Sequence, residues 1–365
     1  MLNVGPRRFQ FTRHATSCNN IKVGKEVPGK ALLQFIVGDE LDTDGAPALS
    51  AYGIREAMML AQKNYDTDRD RFKIPISPIV VSPLIRTWET AVLLYGYQPH
   101  QPALNLEFYV CPYLVEEGLV GNDPKPLNHA IPKFIKFLDT FKSNQMLNLN
   151  YSINTITICI PPKGTPGGQL PSFERRNDWQ KITITLNPNT GKYMPPNNFC
   201  DIEDTFYKRE AYTRGTGNMQ KFMEWYTREL DNPHSQETIH VIAHNTIMQE
   251  FVKVYLKPAK LSEDTPKQNC WTITIPYHPK YNESEKEEIM STIKEGFKNP
   301  EKYPKEPLVL EEAKKEEKET GYSLCGNYGS VDEIVCPKRG GRRTRRKRSN
   351  RKKTRRNRRY SRHRR

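Results

Sequence analysis

Residues 8–275 predict a mainly parallel α/β sheet flanked by helices on both faces. Three observations carry this. Short apolar or alternating runs hand over repeatedly to helical patterns, the order that builds parallel strands with both faces covered. The first such run ends at Arg13-His14. A late run, Thr238 to Ala243, ends at His244.

The elements follow in order. Arg8 to Thr12 alternates weakly and reads as a strand ending at the Arg–His pair. Residues 21–48 are rich in Gly, Asp and Pro and read as a loop region. Ser50 is a good N-cap, and Ala57-Met58-Met59-Leu60-Ala61 gives the apolar side of the helix it opens. Ile74 to Ser82 reads as a buried strand. Pro83 opens a helix from Leu84 to about Tyr95, with the proline in its first turn. A third strand is expected over Asn105 to Val110. Helices are expected over Ile131 to Lys142, with Phe134, Ile135, Phe137, Leu138 and Phe141 inward, and over Asn218 to Leu230, with Phe222, Met223, Trp225 and Tyr226 inward. His240, on the last strand, reads as structural.

Residues 145–200 do not fit a minimal version of this plan. Ile153 to Ile160 and Ile182 to Leu186 alternate as strands around a Pro- and Gly-rich loop, Pro161 to Pro171. They predict an inserted hairpin-like, β-rich segment, either a cap over the site or an enlarged sheet edge. Residues 1–280 therefore form one domain, 281–337 a charged helical or linking region that packs loosely, and 338–365 a low-complexity tail that cannot build a core.

Charge is concentrated in that tail. Of 57 Lys and Arg residues, 18 fall in 338–365, leaving 39 against 42 acidic residues in the rest. The basic balance thus describes the tail alone. No run of 18 or more apolar residues indicates a membrane span, and the N-terminus lacks the apolar core of a signal peptide. The seven Cys are odd in number and form no Cys-x-x-Cys pair, which predicts reduced thiols in an intracellular compartment, cytoplasmic or nuclear. No Cys or His spacing matches a zinc site, and neither a metal nor a cofactor is expected.

Four motifs stand in order: Arg13-His14-Ala15, Leu49-Ser50-Ala51-Tyr52-Gly53-Ile54-Arg55-Glu56-Ala57, Ser82-Pro83-Leu84-Ile85-Arg86-Thr87-Trp88-Glu89-Thr90-Ala91, and His244-Asn245. Together they resemble the histidine phosphatase superfamily, also called phosphoglycerate mutase-like, over roughly residues 8–275. The Ser82–Ala91 stretch is the most specific, matching at seven positions. The resemblance implies that His14 attacks phosphorus and becomes a phosphohistidine, while Arg13, Arg86 and His244 hold the phosphoryl oxygens. It places Asn20 as a further hydrogen-bond donor. Leu114-Val115-Glu116 matches a segment that supplies the catalytic acid, making Glu116 the expected acid/base and Glu117 its rival. Asn245 stands where a related branch has an acidic residue, and an amide cannot serve there. Ala15 and Asn245 both replace glycines of the family pattern, which keeps open a catalytically weak phosphate-binding scaffold.

These residue types suit phosphate chemistry. A phosphate monoester carries about two negative charges, so a nucleophile needs cations to neutralise and align it. Arginine's planar fork donates two hydrogen bonds at once, and imidazole can be a neutral nucleophile near pH 7. The expected activity is that of a phosphoric monoester hydrolase of the histidine acid phosphatase type, with water as acceptor. The substrate would be a phosphorylated small molecule or phosphopeptide. Phosphoglycerate mutase-type transfer is the near alternative, disfavoured because the chain has Ala15-Thr16-Ser17 and no Trp nearby.

The tail has the composition of a nonspecific nucleic-acid tether acting by counterion release, or of a nuclear address. It also resembles tails on proteins of large DNA viruses, which implies a virion-associated role. Deleting 338–365 should abolish retention on a nucleic-acid column at low salt and leave any hydrolytic activity intact.

Overall fold

The computed structural model describes residues 8–18, 48–67, 78–99, 104–116, 127–143, 151, 153–162, 170–171, 175–196, 199, 218–231, 238–256, 270–276, 281–298 and 315. All lie in a unit spanning Met1–Val335. Asn20, Glu117 and the basic tail are outside the described residues.

Eight strands form one sheet: β1 (Arg8–Arg13), β2 (Ile79–Val81), β3 (Leu104–Val110), β4 (Ile153–Ile160), β5 (Gln180–Leu186), β6 (Tyr193–Met194), β7 (Thr238–Ala243) and β8 (Thr272–Pro276). Their order is β6-β5-β4-β3-β2-β7-β1-β8. The five central strands, β4 to β1 in that order, are mutually parallel. The edges, β5–β6 on one side and β8 on the other, are antiparallel.

Among the described residues six α-helices accompany the sheet: α1 (Ala51–Thr67), α2 (Ile85–Tyr95), α3 (Leu127–Ser143), α4 (Asn218–Asp231), α5 (Asn245–Phe251, continued by a π turn, Val252–Leu256) and α6 (Glu283–Lys298). Successive strand residues point to opposite faces, and both faces are covered. Phe9 and Phe11 of β1 and Ile239, Val241 and Ala243 of β7 share a core with Phe222 and Tyr226 of α4 and with Phe251. On the other face Phe108 of β3 packs with Trp88 of α2 and Phe134 of α3, and His240 packs edge-on against Tyr95 of α2, with centroids 5.1 Å apart.

Ser50 caps α1 as expected. Its Oγ accepts the Gly53 N–H at 3.0 Å and donates to the Thr16 carbonyl at 2.9 Å. Glycine at 53 has a steric reason, since a Cβ there would lie 2.0 Å from the Thr16 oxygen.

Several boundaries differ from the sequence pattern. Pro83 precedes α2 instead of opening it, because Leu84 occupies the cap in extended conformation. The Ser82 carbonyl meanwhile accepts Thr87 Oγ1 and Trp88 Nε1, each at 2.8 Å. The helix α3 begins four residues early, at Leu127, and carries Pro132 inside it. The buried residues Leu127, Ala130 and Ile131 extend its apolar stripe past the proline.

The described strands of 145–200 extend the main sheet. β4 joins its parallel centre beside β3, and β5 folds back on β4. The region after residue 280 also departs from the expectation of loose packing. Ile289 and Ile293 of α6, one turn apart, are buried with Tyr281 in the core that holds β1 and β7. The charged residues around them mask this short apolar stripe in the sequence. Cys111, Cys159 and Cys270 form no disulfide, but Cys18 is disulfide-bonded. This corrects the expectation of reduced thiols throughout, since sequence spacing does not reveal a partner brought near by folding.

Replacing Ile293 by Ala should cost about 2–5 kcal/mol, the range for emptying a buried aliphatic site. Denaturant unfolding monitored by circular dichroism would measure it; a change under 0.5 kcal/mol would match the loosely packed alternative.

Candidate active site

The candidate residues meet at the C-terminal ends of β1, β7, β2 and β3, where an open α/β sheet places its ligands. The ladder continues past the strands there. The His14 N–H bonds the Ala243 carbonyl at 2.9 Å, and the Ser82 N–H bonds the Ile242 carbonyl at 3.1 Å. These bonds set the loops that carry His14, Arg86 and His244 side by side.

Arg86 is at the centre, 2% exposed. Its Nε donates to His14 Nε2 at 3.2 Å. Its Nη2 forms an ion pair with Glu116 Oε2 and lies 3.4 Å from His244 Nδ1. Glu116 Oε2 is also 3.5 Å from His244 Nδ1. The two imidazoles meet edge-on, with centroids 5.0 Å apart. Arg13 is buried and acts electrostatically on both rings. Of the expected site residues, His14, Arg13, Arg86, Glu116 and His244 are thus assembled.

His14 has a defined proton arrangement. Its Nδ1 lies 2.6 Å from the Ala15 carbonyl, which can only accept. The proton therefore sits on Nδ1, and the Nε2 lone pair faces Arg86. Burial, followed by the Arg86 and Arg13 charges, holds the His14 pKa well below its ordinary value. Burial, then Arg86, His14 and Arg13, do the same to His244. Both rings are neutral near pH 7.

The donor atoms of His14, Glu116 and His244 lie within 4.8 Å of one another, a spacing that could hold a metal ion. Here they face the Arg86 guanidinium.

The glycine replacements carry no backbone strain. Among the described residues only Cys270 has a positive φ without being glycine, at 54°. Ala15 is fully buried, and its N–H bonds Thr90 Oγ1 at 3.1 Å. Asn245 sits at the start of α5, where any L-residue is comfortable.

Sequence reading missed the supports of the loop that carries His14. Glu56 Oε2 accepts the Thr16 N–H at 3.0 Å and the Thr16 hydroxyl at 2.9 Å. Burial raises its pKa to about 7 against those hydrogen bonds. Glu89, one turn after Arg86, accepts the Leu49 N–H at 2.7 Å and is 1% exposed. Burial raises its pKa to about 8. Both lie inside the quoted motifs, but nothing in one sequence separates a supporting carboxyl from a surface one.

No protein-family model matches the chain. No curated protein matches it in sequence. Among solved structures it is similar to a candidate alpha-ribazole-5'-P phosphatase from Escherichia coli, at 12% identity and a TM-score of 0.32, covering 74% of this chain and 91% of that one.

Glu89 is protonated in the folded protein over a pH range where the unfolded chain ionises it. Its contribution to stability is whole below the ordinary carboxyl value of 4.5 and is lost as pH rises through about 8. Glu89→Gln keeps an acceptor for Leu49 and should flatten the decline in urea midpoint between pH 5 and 8.5, leaving the part due to Glu56. An unchanged slope would show that Glu89 ionises normally.

Proposed function

We propose that the protein is a phosphomonoesterase working through a phosphohistidine at His14, with water as the final acceptor. The observation that carries this is the His14 ring itself. Its Nδ1–H is tied to the Ala15 carbonyl, so a neutral Nε2 lone pair faces a buried guanidinium and a second imidazole. The motif resemblance of residues 8–275 supports the same reading.

In this reading the substrate's phosphoryl oxygens take over the Arg86 donors now directed at His14 and Glu116, with Arg13 and His244 beside them. Neutralising the dianion and aligning it with Nε2 removes the main obstacle to attack. The Nε2–P bond forms as the ester P–O bond breaks. Glu116, released from its Arg86 ion pair by the incoming phosphate, takes up a proton from solvent, gives it to the leaving oxygen and becomes a carboxylate again. Glu116 then takes a proton from water as the water oxygen attacks phosphorus. The N–P bond breaks, inorganic phosphate leaves, and both side chains return to their starting states.

Three features favour turnover over a scaffold that only binds phosphate: Ala15 and Asn245 cost no backbone strain, and a carboxyl stands beside the phosphate-binding cluster. The basic tail would add a nonspecific polyanion tether to this activity.

The protein should hydrolyse an aryl phosphate, and His14→Ala should remove all turnover. Quenching during turnover should trap an acid-labile, base-stable phosphoryl label on the wild-type chain alone. A folded protein with neither turnover nor label across pH 4–8 would sink the proposal.

Glu116→Gln should slow alkyl phosphates by about 10²–10⁴-fold, the usual contribution of a general acid. An activated aryl ester, whose leaving group needs no proton, should lose much less in formation of the phosphohistidine. Equal losses in single-turnover burst kinetics would assign the acid elsewhere.

A further inference from the structure

Ser82 belongs to the most specific motif, yet the reaction above gives it no task. It is completely buried, and so is His244. Its Oγ lies 2.8 Å from His244 Nε2. Its other hydrogen bond comes from the Leu84 N–H at 3.4 Å, and a backbone N–H can only donate. A buried hydroxyl has one proton to place and two lone pairs to offer. With Leu84 donating to the oxygen, His244 Nε2 is the acceptor left for the Ser82 proton.

We propose that Ser82 is a positioning residue that donates to His244 Nε2, and so keeps the His244 proton on Nδ1, the nitrogen facing Arg86 and Glu116. A neutral imidazole carries one proton. If Nε2 accepts from Ser82, Nδ1 is N–H and a donor. In the free protein that N–H faces Glu116 Oε2 at 3.5 Å. The Arg86 Nη2 contact at 3.4 Å is then between two donors that share the Glu116 carboxylate. With substrate bound, the same N–H donates to a phosphoryl oxygen without His244 having to become charged.

The two histidines would then carry the same tautomer and present opposite nitrogens. His14 turns its Nδ1–H to the Ala15 carbonyl and offers the Nε2 lone pair to the pocket. His244 turns its Nε2 lone pair to Ser82 and offers Nδ1–H. One ring attacks while the other holds, and neighbours outside the pocket set the difference. Such second partners commonly decide which ring nitrogen carries the proton. Ser82 is not itself a nucleophile here, because its oxygen is sealed from the pocket between His244 and Leu84. Its own placement is rigid. The Ser82 N–H is bonded across to the Ile242 carbonyl, and the Ser82 carbonyl holds Thr87 and Trp88.

The kinetic part of the test rests on the phosphomonoesterase reading, but the tautomer part does not. Nitrogen-15 NMR of histidine-labelled full-length protein distinguishes an N–H from a bare ring nitrogen, and loss of one signal set in His244→Gln assigns the residue. At neutral pH His244 should show Nδ1–H and bare Nε2. The Nε2–H tautomer in the wild-type protein would overturn the proposal whatever the enzyme activity.

Ser82→Ala should move His244 toward Nε2–H and lower kcat/KM on an aryl phosphate about tenfold or more, as loss of a donor to a charged group does. Ser82→Thr, which keeps the hydroxyl, should restore the tautomer and most of the rate. In a His244→Ala background Ser82→Ala should have no further effect on kcat/KM. An equal loss in both backgrounds would mean that Ser82 acts through general packing, and would also overturn the proposal. An inactive wild-type protein with His244 in the expected tautomer would instead count against the enzymatic reading alone.

Discussion

A guanidinium buried at the end of a sheet needs an anion and acceptors close by, and Arg86 organises this site through that need. Burial works against its charge, and Glu116 offsets the cost. Its Nε satisfies the lone pair of His14, and its Nη2 brings Glu116 to His244. The resulting cluster is internally paired in the absence of ligand, and a phosphate dianion offers the same guanidinium a stronger partner. Burial first, and then the positive charge that would receive phosphate, keeps both imidazoles neutral.

The loop that carries His14 is held from two helices, α1 and α2. From α1, Ser50 and Glu56 grip Thr16, and Gly53 lets the helix approach the Thr16 carbonyl. From α2, Thr90 receives the Ala15 N–H. The attack proposed for His14 needs placement to a fraction of an ångström, and backbone anchors on regular elements provide that better than a free loop. The carboxyls that serve as anchors are themselves shifted by burial, so the support of the loop depends on pH near neutrality and above.

The sheet order explains how residues so far apart in sequence meet. The strand β7, near the end of the described chain, inserts between β1 and β2, so His244 lies between His14 and Ser82. Helices α2 and α3 pack on one face, and α4 and α6 on the other.

Most of the elements, and the residues that gather, are readable along the chain. The strand Ile153–Ile160 falls where alternation placed it, because side-chain direction on a strand depends only on local spacing, and Thr238–Ala243 falls where a strand was expected after a helix. His244 was legible because it lies directly after a strand, and Arg86 because it lies inside a run of matching residues. Tertiary structure alone decided the rest. The burial of Ile289 and Ile293 depends on a surface formed by strands far away in sequence. The disulfide at Cys18 depends on a partner brought near by folding. The ring nitrogen that faces the pocket depends on contacts 162 residues apart for His244 and Ser82. Hydrogen-bond direction and desolvation are properties of neighbours in space, and a linear pattern carries no record of them.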